Sequence, residues 1–243
     1  MTAQEIEVTV ARSGNRIFCG ATHQGCVRDH NEDAFGIRAA VGLALVSDGV
    51  GGLKRGEVAS RAVVDALLNH DGKDVLSCVK SVHQQLVTEG SKQVRMGATV
   101  VAALFSENHV QLTWTGDSRA YLWRGGTLTQ LTHDHSYVQK LLDMKVITPE
   151  EALTHPNRNV ITSAIGIVGE EELEIEQTAF DWQPGDRLMM CSDGLYGYLP
   201  QAVIEETMRK THHVEATTEI LLARTLRETE AGDNVTVICV GEA

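Results

Sequence analysis

Apolar positions along the 243-residue chain fall into short runs of two kinds. Nine runs have the length and make-up of β-strands: 17–23, 34–39, 43–47, 98–105, 110–115, 120–123, 173–179, 187–191 and 235–240. Several alternate, as in VQLTWTG and EIEQTAF, and so predict strands with one buried face. Two longer stretches, 56–70 and 74–89, carry helical spacing. In the first, Val58, Ala62, Val63, Ala66 and Leu67 share one face. A third helix is predicted at 214–228, ahead of the last strand. Two clusters of strands around paired helices predict sheet-on-sheet packing with helices outside, an α/β sandwich. The stretch 134–159 is polar, helix-prone and poor in strand character, and reads as an insertion over one edge of the sheets. No repeat, low-complexity tract or linker interrupts the pattern, so residues 1–243 are read as one continuous domain.

Composition narrows the function. The net charge is −12, from 33 acidic and 21 basic residues, and no basic stripe exists to neutralise a nucleic-acid backbone. The opening MTAQEIEVTVARSG holds two glutamates and no continuous apolar core, so no signal peptide is expected. Apolar runs such as ATVVAALF are far shorter than a membrane span, and no membrane partner is expected. The five cysteines (Cys19, Cys26, Cys78, Cys191 and Cys239) form no C-x-x-C pair, and are read as ordinary thiols in a reducing cytoplasm.

The recurrent chemical feature is an acidic residue at the edge of an apolar strand. LALVSDGVGG places Asp48-Gly49 there, LTWTGDSRAY places Asp117, and RLMMCSDGLYG places Asp193-Gly194. EAGDNVTVICV and VRDHNEDAFGI put Asp233 and Glu32-Asp33 just before a strand. Each alone is an ordinary turn signal. Together, strand ends that converge on one rim would crowd carboxylates that repel unless cations sit among them. Oxygen-only ligation points to hard ions, Mg²⁺ or Mn²⁺.

These residues also carry a family resemblance. VRDHNEDAF, VSDGVGG, MGATVVAAL, GDSRAYLWRGG, LTHDHS, NVITSAIG, CSDGL and GDNVTVI occur in the order and spacing of the metal-dependent PPM/PP2C-type protein phosphatases. The match covers about 18–240, and the compact length resembles the bacterial members. The resemblance implies an α+β fold, an α/β/β/α sandwich of two antiparallel sheets with a helical flap at about 134–159. It implies that Asp48 bridges two Mn²⁺ or Mg²⁺ ions, with the Gly49 carbonyl on one and Asp193 and Asp233 on the other. Glu32 and Asp33 would hold ion-bound waters, and Asp117 with Asp193 a third, weaker ion. Arg28 would grip the substrate phosphate through a planar fork of donors. The implied reaction is hydrolysis of phosphoserine and phosphothreonine on proteins, by in-line attack of a water activated between the two ions. The implied partner is the set of proteins phosphorylated by a cognate Ser/Thr kinase, and the expected state is a monomer.

Two positions depart from the family pattern. Val50 replaces the histidine of D-G-H-G-G found in many eukaryotic members, so the leaving-group proton has to come from elsewhere. Ser163 stands where many relatives have a basic residue in N-x-I-T-R-A-I-G. His23, His30, His133 and His135 are read as surface or turn-supporting, Arg119 as pairing with an acidic neighbour, and Trp114, Trp123 and Trp182 as packing in the sandwich. Rival phosphatase patterns (C-x5-R, D-x-D-x-[TV], G-D-x-H-G) and the P-loop are absent. Two other readings stay open at this stage: an inactive phosphoprotein- or kinase-binding module, and a hydrolase of small phosphate esters.

Overall fold

The computed structural model describes residues 6–50, 55–70, 74–90 and 95–242. The chain opens with a hairpin, β1 (Glu7–Ser13) and β2 (Arg16–His23), then β3 (Asp33–Arg38) and β4 (Leu43–Asp48). Helices α1 (Gly56–Asn69) and α2 (Val75–Glu89) follow, and then β5 (Val100–Phe105), β6 (His109–Thr115), β7 (Arg119–Arg124) and β8 (Thr127–Gln130). Short helices α3 (Tyr137–Asp143) and α4 (Pro149–Thr154) precede β9 (Glu176–Asp181) and β10 (Arg187–Cys191). The chain closes with α5 (Asp193–Tyr196), α6 (Gln201–Lys210), α7 (Val214–Glu228) and β11 (Val235–Glu242).

The strands form a six-stranded sheet in the order β1-β2-β11-β10-β7-β8 and a five-stranded sheet in the order β3-β4-β5-β6-β9. All their pairings are antiparallel. Strand alternation divides the core into layers. On β10, Leu188 and Met190 turn inward with Phe18, Val46, Val101, Leu112 and Ile238 to fill the space between the sheets. Met189 and Cys191 turn outward with Cys19 and Val237, beneath Met208 of α6 and Leu221 and Leu222 of α7. On the far side, Leu45 and Val100 pack under Val63 and Leu67 of α1 and Val79 and Leu86 of α2. The layers run helix, sheet, sheet, helix, as the eight motifs imply.

Differences from the sequence reading have local causes. The strand predicted at 173–179 starts at Glu176, and Ala98 makes only an isolated bridge to Gly49 and Ile165 ahead of β5. Asp74 is the N-cap of α2, its carboxylate accepting from Ser77 N at 3.0 Å, rather than a helical residue. β1 was not predicted although Ile6, Val8 and Val10 alternate, and these side chains stay 43–48% exposed on an edge strand. The polar β8 and the ten-residue α6 were also not predicted; α6 is amphipathic but short, and buries only Ile204, Thr207 and Met208. Trp114 and Trp182 pack between the sheets as expected, whereas Trp123 lies on the outer, helix-facing side. In VSDGVGG the sequence expects Gly51 and Gly52 to turn the chain tightly into α1; both lie outside the described residues.

The stretch 134–159 contains α3 and α4 and is tied at its base. Tyr137 N donates to Val160 O at 2.8 Å, and Thr162 N to His135 O at 2.7 Å. Ser136 caps α3, and Thr148 with Glu151 closes a capping box on α4, whose first residue is Pro149.

Of the five free thiols, four are buried and Cys26 is exposed. Burial pushes the Cys239 thiol up to about 12 and raises those of Cys19, Cys78 and Cys191. A thiol reacts only as thiolate, so raised values keep these four neutral at pH 8. Native protein is therefore expected to release one equivalent of thionitrobenzoate rapidly from Ellman's reagent at pH 8, and denatured protein five. Rapid release of two or more equivalents from native protein would contradict this packing.

Among the described residues, no helix is long and apolar enough to cross a membrane.

Candidate metal and phosphate site

The acidic residues singled out from sequence converge at one end of the sandwich. β4 ends on Asp48, and its register with β3 sets Asp48 opposite Asp33. Like charges placed so are unfavourable in a bare sheet. Asp48 is held by its backbone: its N–H donates to Thr99 Oγ1 at 3.0 Å, and its carbonyl accepts from Thr99 N at 2.8 Å. Thr99 Oγ1 also lies 2.6 Å from Ser118 Oγ, which fixes the turn bearing Asp117 against β4. On the other sheet, Ser192 Oγ donates to Asp33 Oδ2 at 2.7 Å and accepts from Thr236 N at 3.0 Å. The next residue, Asp193, starts α5.

Arg28, Glu32, Asp48, Gly49, Asp117, Asp193 and Asp233 line one cleft of about 290 Å³, together with Val50, Asn159, Ile161 and Asn234. Asp33 lies behind this wall, 4% exposed. Arg28 Nη2 donates to Asp233 Oδ2 at 2.8 Å, so in this state the guanidinium neutralises a carboxylate of the cleft.

Two glycines make the convergence possible. A side chain at Gly49 would bring its Cβ within 2.5 Å of the Gly56 carbonyl carbon, and one at Gly194 within 1.8 Å of the Asn234 carbonyl oxygen. The bare Gly194 therefore lets α5 lie against the loop of Asp233 and Asn234. Gly194→Ala is expected to cost about 1–3 kcal/mol by overpacking, read as a lower urea midpoint, and to separate Asp193 from Asp233. An alanine variant with an unchanged midpoint and unchanged activity would contradict that close approach.

Charge is poorly compensated here. Burial first, and then repulsion from Asp33, Asp193, Asp117 and Asp233, pushes the Asp48 carboxyl well above the usual range. Burial and the charges of Asp117, Asp233 and Asp33 do the same to Asp193. Burial raises Asp117 to about 7 and Asp33 to about 6. Asp33 Oδ1 is also buried without a hydrogen-bond donor. A cleft of oxygen donors, crowded carboxylates and an orphaned carboxylate oxygen fits hard divalent cations, which would satisfy the oxygen and reverse the local field. Among the described residues, the one trio of ligand atoms all within 4.8 Å of one another is His30, Glu32 and Glu57 at the rim. The aspartates are spread more widely, as ligands arranged around two ions must be.

The protein phosphatase 2C family model matches residues 19–230. The chain belongs to the protein phosphatase 2C family. Serine/threonine phosphatase stp of Listeria welshimeri is 31% identical over 238 residues, covering 90% of this chain and 93% of that relative. The crystal structure of the Mycobacterium tuberculosis serine/threonine phosphatase PstP/Ppp matches with a TM-score of 0.84 at 34% identity, covering 93% of this chain and 98% of that one. The catalytic domain of PstP in complex with two manganese ions matches with a TM-score of 0.81 at 33% identity, covering 93% and 97%. The two antiparallel sheets flanked by helices are thus the fold of this family, and the chain is a protein phosphatase.

Within this protein phosphatase 2C chain the remaining sequence readings find their places. Arg119 pairs with Asp134, which accepts from Nε at 3.0 Å and from Nη2 at 2.6 Å. His23 Nδ1 accepts from Gly25 N, and His135 Nδ1 from Gly116 N at 3.1 Å, so both support turns, although His135 is buried rather than on the surface. His133 Nε2 lies 2.9 Å from Asp143 Oδ2, on the surface. Ser163 is buried and bonds Glu174 N at 2.9 Å, so its hydroxyl faces the fold and not the cleft.

Sequence reasoning missed Asn234, Thr99, Ser192, Asn159 and Glu57. Asn234 has the largest effect on geometry. Its amide donates to Gln24 O and His30 O, and its Oδ1 accepts from Glu32 N at 2.8 Å, so one side chain stitches the Arg28–Glu32 loop to β11. The motifs GDNVTVI, MGATVVAAL, CSDGL and NVITSAIG contained four of these residues, but nothing in a string marks which neighbours they bond.

Proposed function

We propose that the protein hydrolyses phosphoserine and phosphothreonine on proteins at this cleft, with Asp48, Asp193, Asp233, Glu32, Asp33 and the Gly49 carbonyl serving two Mn²⁺ or Mg²⁺ ions. The observation that supports it most is the meeting of six carboxylates and one arginine on a protein phosphatase 2C fold. When bound, the ions supply charge neutralisation and a water whose pKa falls toward roughly 7. The chain supplies the rest. Asp48, anchored by Thr99, presents a carboxylate at the centre of the cleft; Asp193 and Asp233 flank it; and Asp117 with Asp193 offers a place for a third ion. Arg28 is at the mouth, 43% exposed on its side chain. A cation held by Asp233 would compete with Arg28 for that carboxylate and leave the Arg28 guanidinium free to bind non-bridging phosphate oxygens as a fork. Val50 offers no proton, so the leaving alkoxide is protonated by another group or by solvent.

Residues 134–159, roped to the cleft through Asn159 and Ile161, are taken as a flap of a single catalytic unit spanning 1–243. The protein is taken to act as a monomer. The natural substrates are taken to be the products of a Ser/Thr kinase in the same cytoplasm, a setting that suits four buried, unpaired thiols.

The test is phosphate release from a phosphothreonine peptide by Mn²⁺-loaded protein, beside a phosphotyrosine peptide and p-nitrophenyl phosphate. Release from the phosphothreonine peptide, abolished by EDTA, is expected. Hydrolysis of the small ester alone would favour a small-molecule hydrolase, and no release from any of the three would remove the enzyme reading.

A further inference from the structure

A single turn of helix links two of the crowded carboxylates. α5 begins with Asp193 and ends with Tyr196, whose hydroxyl donates to the backbone carbonyl of Asp117 at 3.0 Å. Asp117 and Asp193 line the same cleft, so this hydrogen bond ties together the segments that carry two like charges. The Tyr196 ring is pinned in turn. The Arg119 guanidinium stacks over it at 3.7 Å, and Asp134, 6% exposed, fixes that guanidinium through both carboxylate oxygens. The neighbouring His135 brackets the residue before Asp117 from both sides: its N–H donates to Gly116 O at 2.9 Å, and its Nδ1 accepts from Gly116 N. None of Arg119, Asp134, His135 and Tyr196 lines the cleft.

We infer that Tyr196, Arg119, Asp134 and His135 form a positioning frame that sets the spacing of Asp117 from Asp193 and thereby the affinity of the ion these two carboxylates share. The inference rests on the two-ion phosphatase reading, with its third, weaker ion. Each member acts on backbone or on another member, and none replaces a ligand. The frame also begins at the root of 134–159, so that segment is mechanically continuous with Asp117 through two residues, Asp134 and His135. Outer partners that orient ligands typically change metal affinity about 10–100-fold when removed.

Bound Mn²⁺ can be counted on the metal-stripped protein from the EPR signal of the free aqua ion. Wild type is expected to show two tighter sites and one weaker. Tyr196→Phe, which deletes one oxygen and keeps the stacked ring, is expected to weaken the weaker site about 10-fold or more and to leave the tighter two in place. Arg119→Lys keeps the charge but loses the fork and the stacking, and is expected to shift the same site. Asp117→Asn should produce the larger loss, and Tyr196→Phe added to it should produce no further one, because the tyrosine acts through that carboxylate. The Mn²⁺ concentration for half-maximal phosphate release is expected to rise in parallel, with saturated kcat changed less. Binding curves of Tyr196→Phe and Arg119→Lys that superimpose on wild type would overturn the frame, as would a Tyr196→Phe loss that multiplies with that of Asp117→Asn. A wild type that binds no Mn²⁺ would instead overturn the phosphatase centre itself, and the frame with it.

Discussion

Asp48→Asn is expected to lower kcat/KM for a phosphothreonine peptide by on the order of 10³-fold or more, the scale of losing a central charge-stabilising group in an active site. The same substitution is expected to raise the thermal midpoint of the metal-free protein. Asp48 is half-buried, faces Asp33 across the β3–β4 ladder, and is burdened by Asp193, Asp117 and Asp233. Asparagine keeps its size and its backbone bonds to Thr99 while deleting the charge. Relieving a strained functional site commonly yields about 0.5–2 kcal/mol, and for a chain of this length each kcal/mol moves the midpoint by about 2–4 °C. A gain of roughly 1–8 °C with loss of activity would separate a chemical role from a structural one. If Asp48→Asn instead lowered the metal-free midpoint and kept activity, the cluster would be a structural network and not a cation site.

Removal of divalent ions is expected to have the next largest effect. EDTA should abolish phosphate release and lower the thermal midpoint, and Mn²⁺ or Mg²⁺ should restore both. Ions present at about 100 times their dissociation constant stabilise the folded state by about 2.7 kcal/mol, or roughly 5–11 °C here. The stripped protein should also grow less stable as pH rises. Burial lifts Asp33 to about 6 and Asp117 to about 7 in the folded chain, above their unfolded values. A raised carboxyl favours folding while protonated, so that contribution is complete below about pH 4 and is lost as pH climbs through 6 and 7. Mn²⁺ should flatten this dependence, because bound ions replace the protons. A midpoint indifferent to EDTA at pH 8 would count against cations in the cleft.

The sequence conveyed the chemistry better than the connections that organise it. Asp48, Asp117 and Asp193 were visible because apolar strands ended beside them, and strand ends in a two-sheet sandwich gather at the rims. The limits of β10, 187–191, were legible to the residue because both its faces are buried and Asp186 and Ser192 bracket it. The edge strands β1 and β8 were not, since strands with one exposed edge need less apolar character. Arg28 was placed at the site, but its pairing with Asp233 depends on a contact between residues 205 positions apart. Tyr196 read only as part of SDGLYG; its link to Asp117 follows from how one helical turn sits against a turn of the other strands. Asn234 stands unmarked in GDNVTVI beside Asp233, whereas its three hydrogen bonds make it the brace of the Arg28–Glu32 loop.

The central claim is that the cleft bounded by Asp48, Asp193 and Asp233 holds two catalytic ions. Anomalous diffraction at the manganese edge, from crystals of this protein soaked in Mn²⁺, tests it most directly. Two strong peaks about 3.5–4 Å apart, with the Asp48 carboxylate reaching both and Asp193 and Asp233 at one of them, are the predicted result. A cleft without manganese, or a peak confined to the His30–Glu32–Glu57 rim, would contradict it.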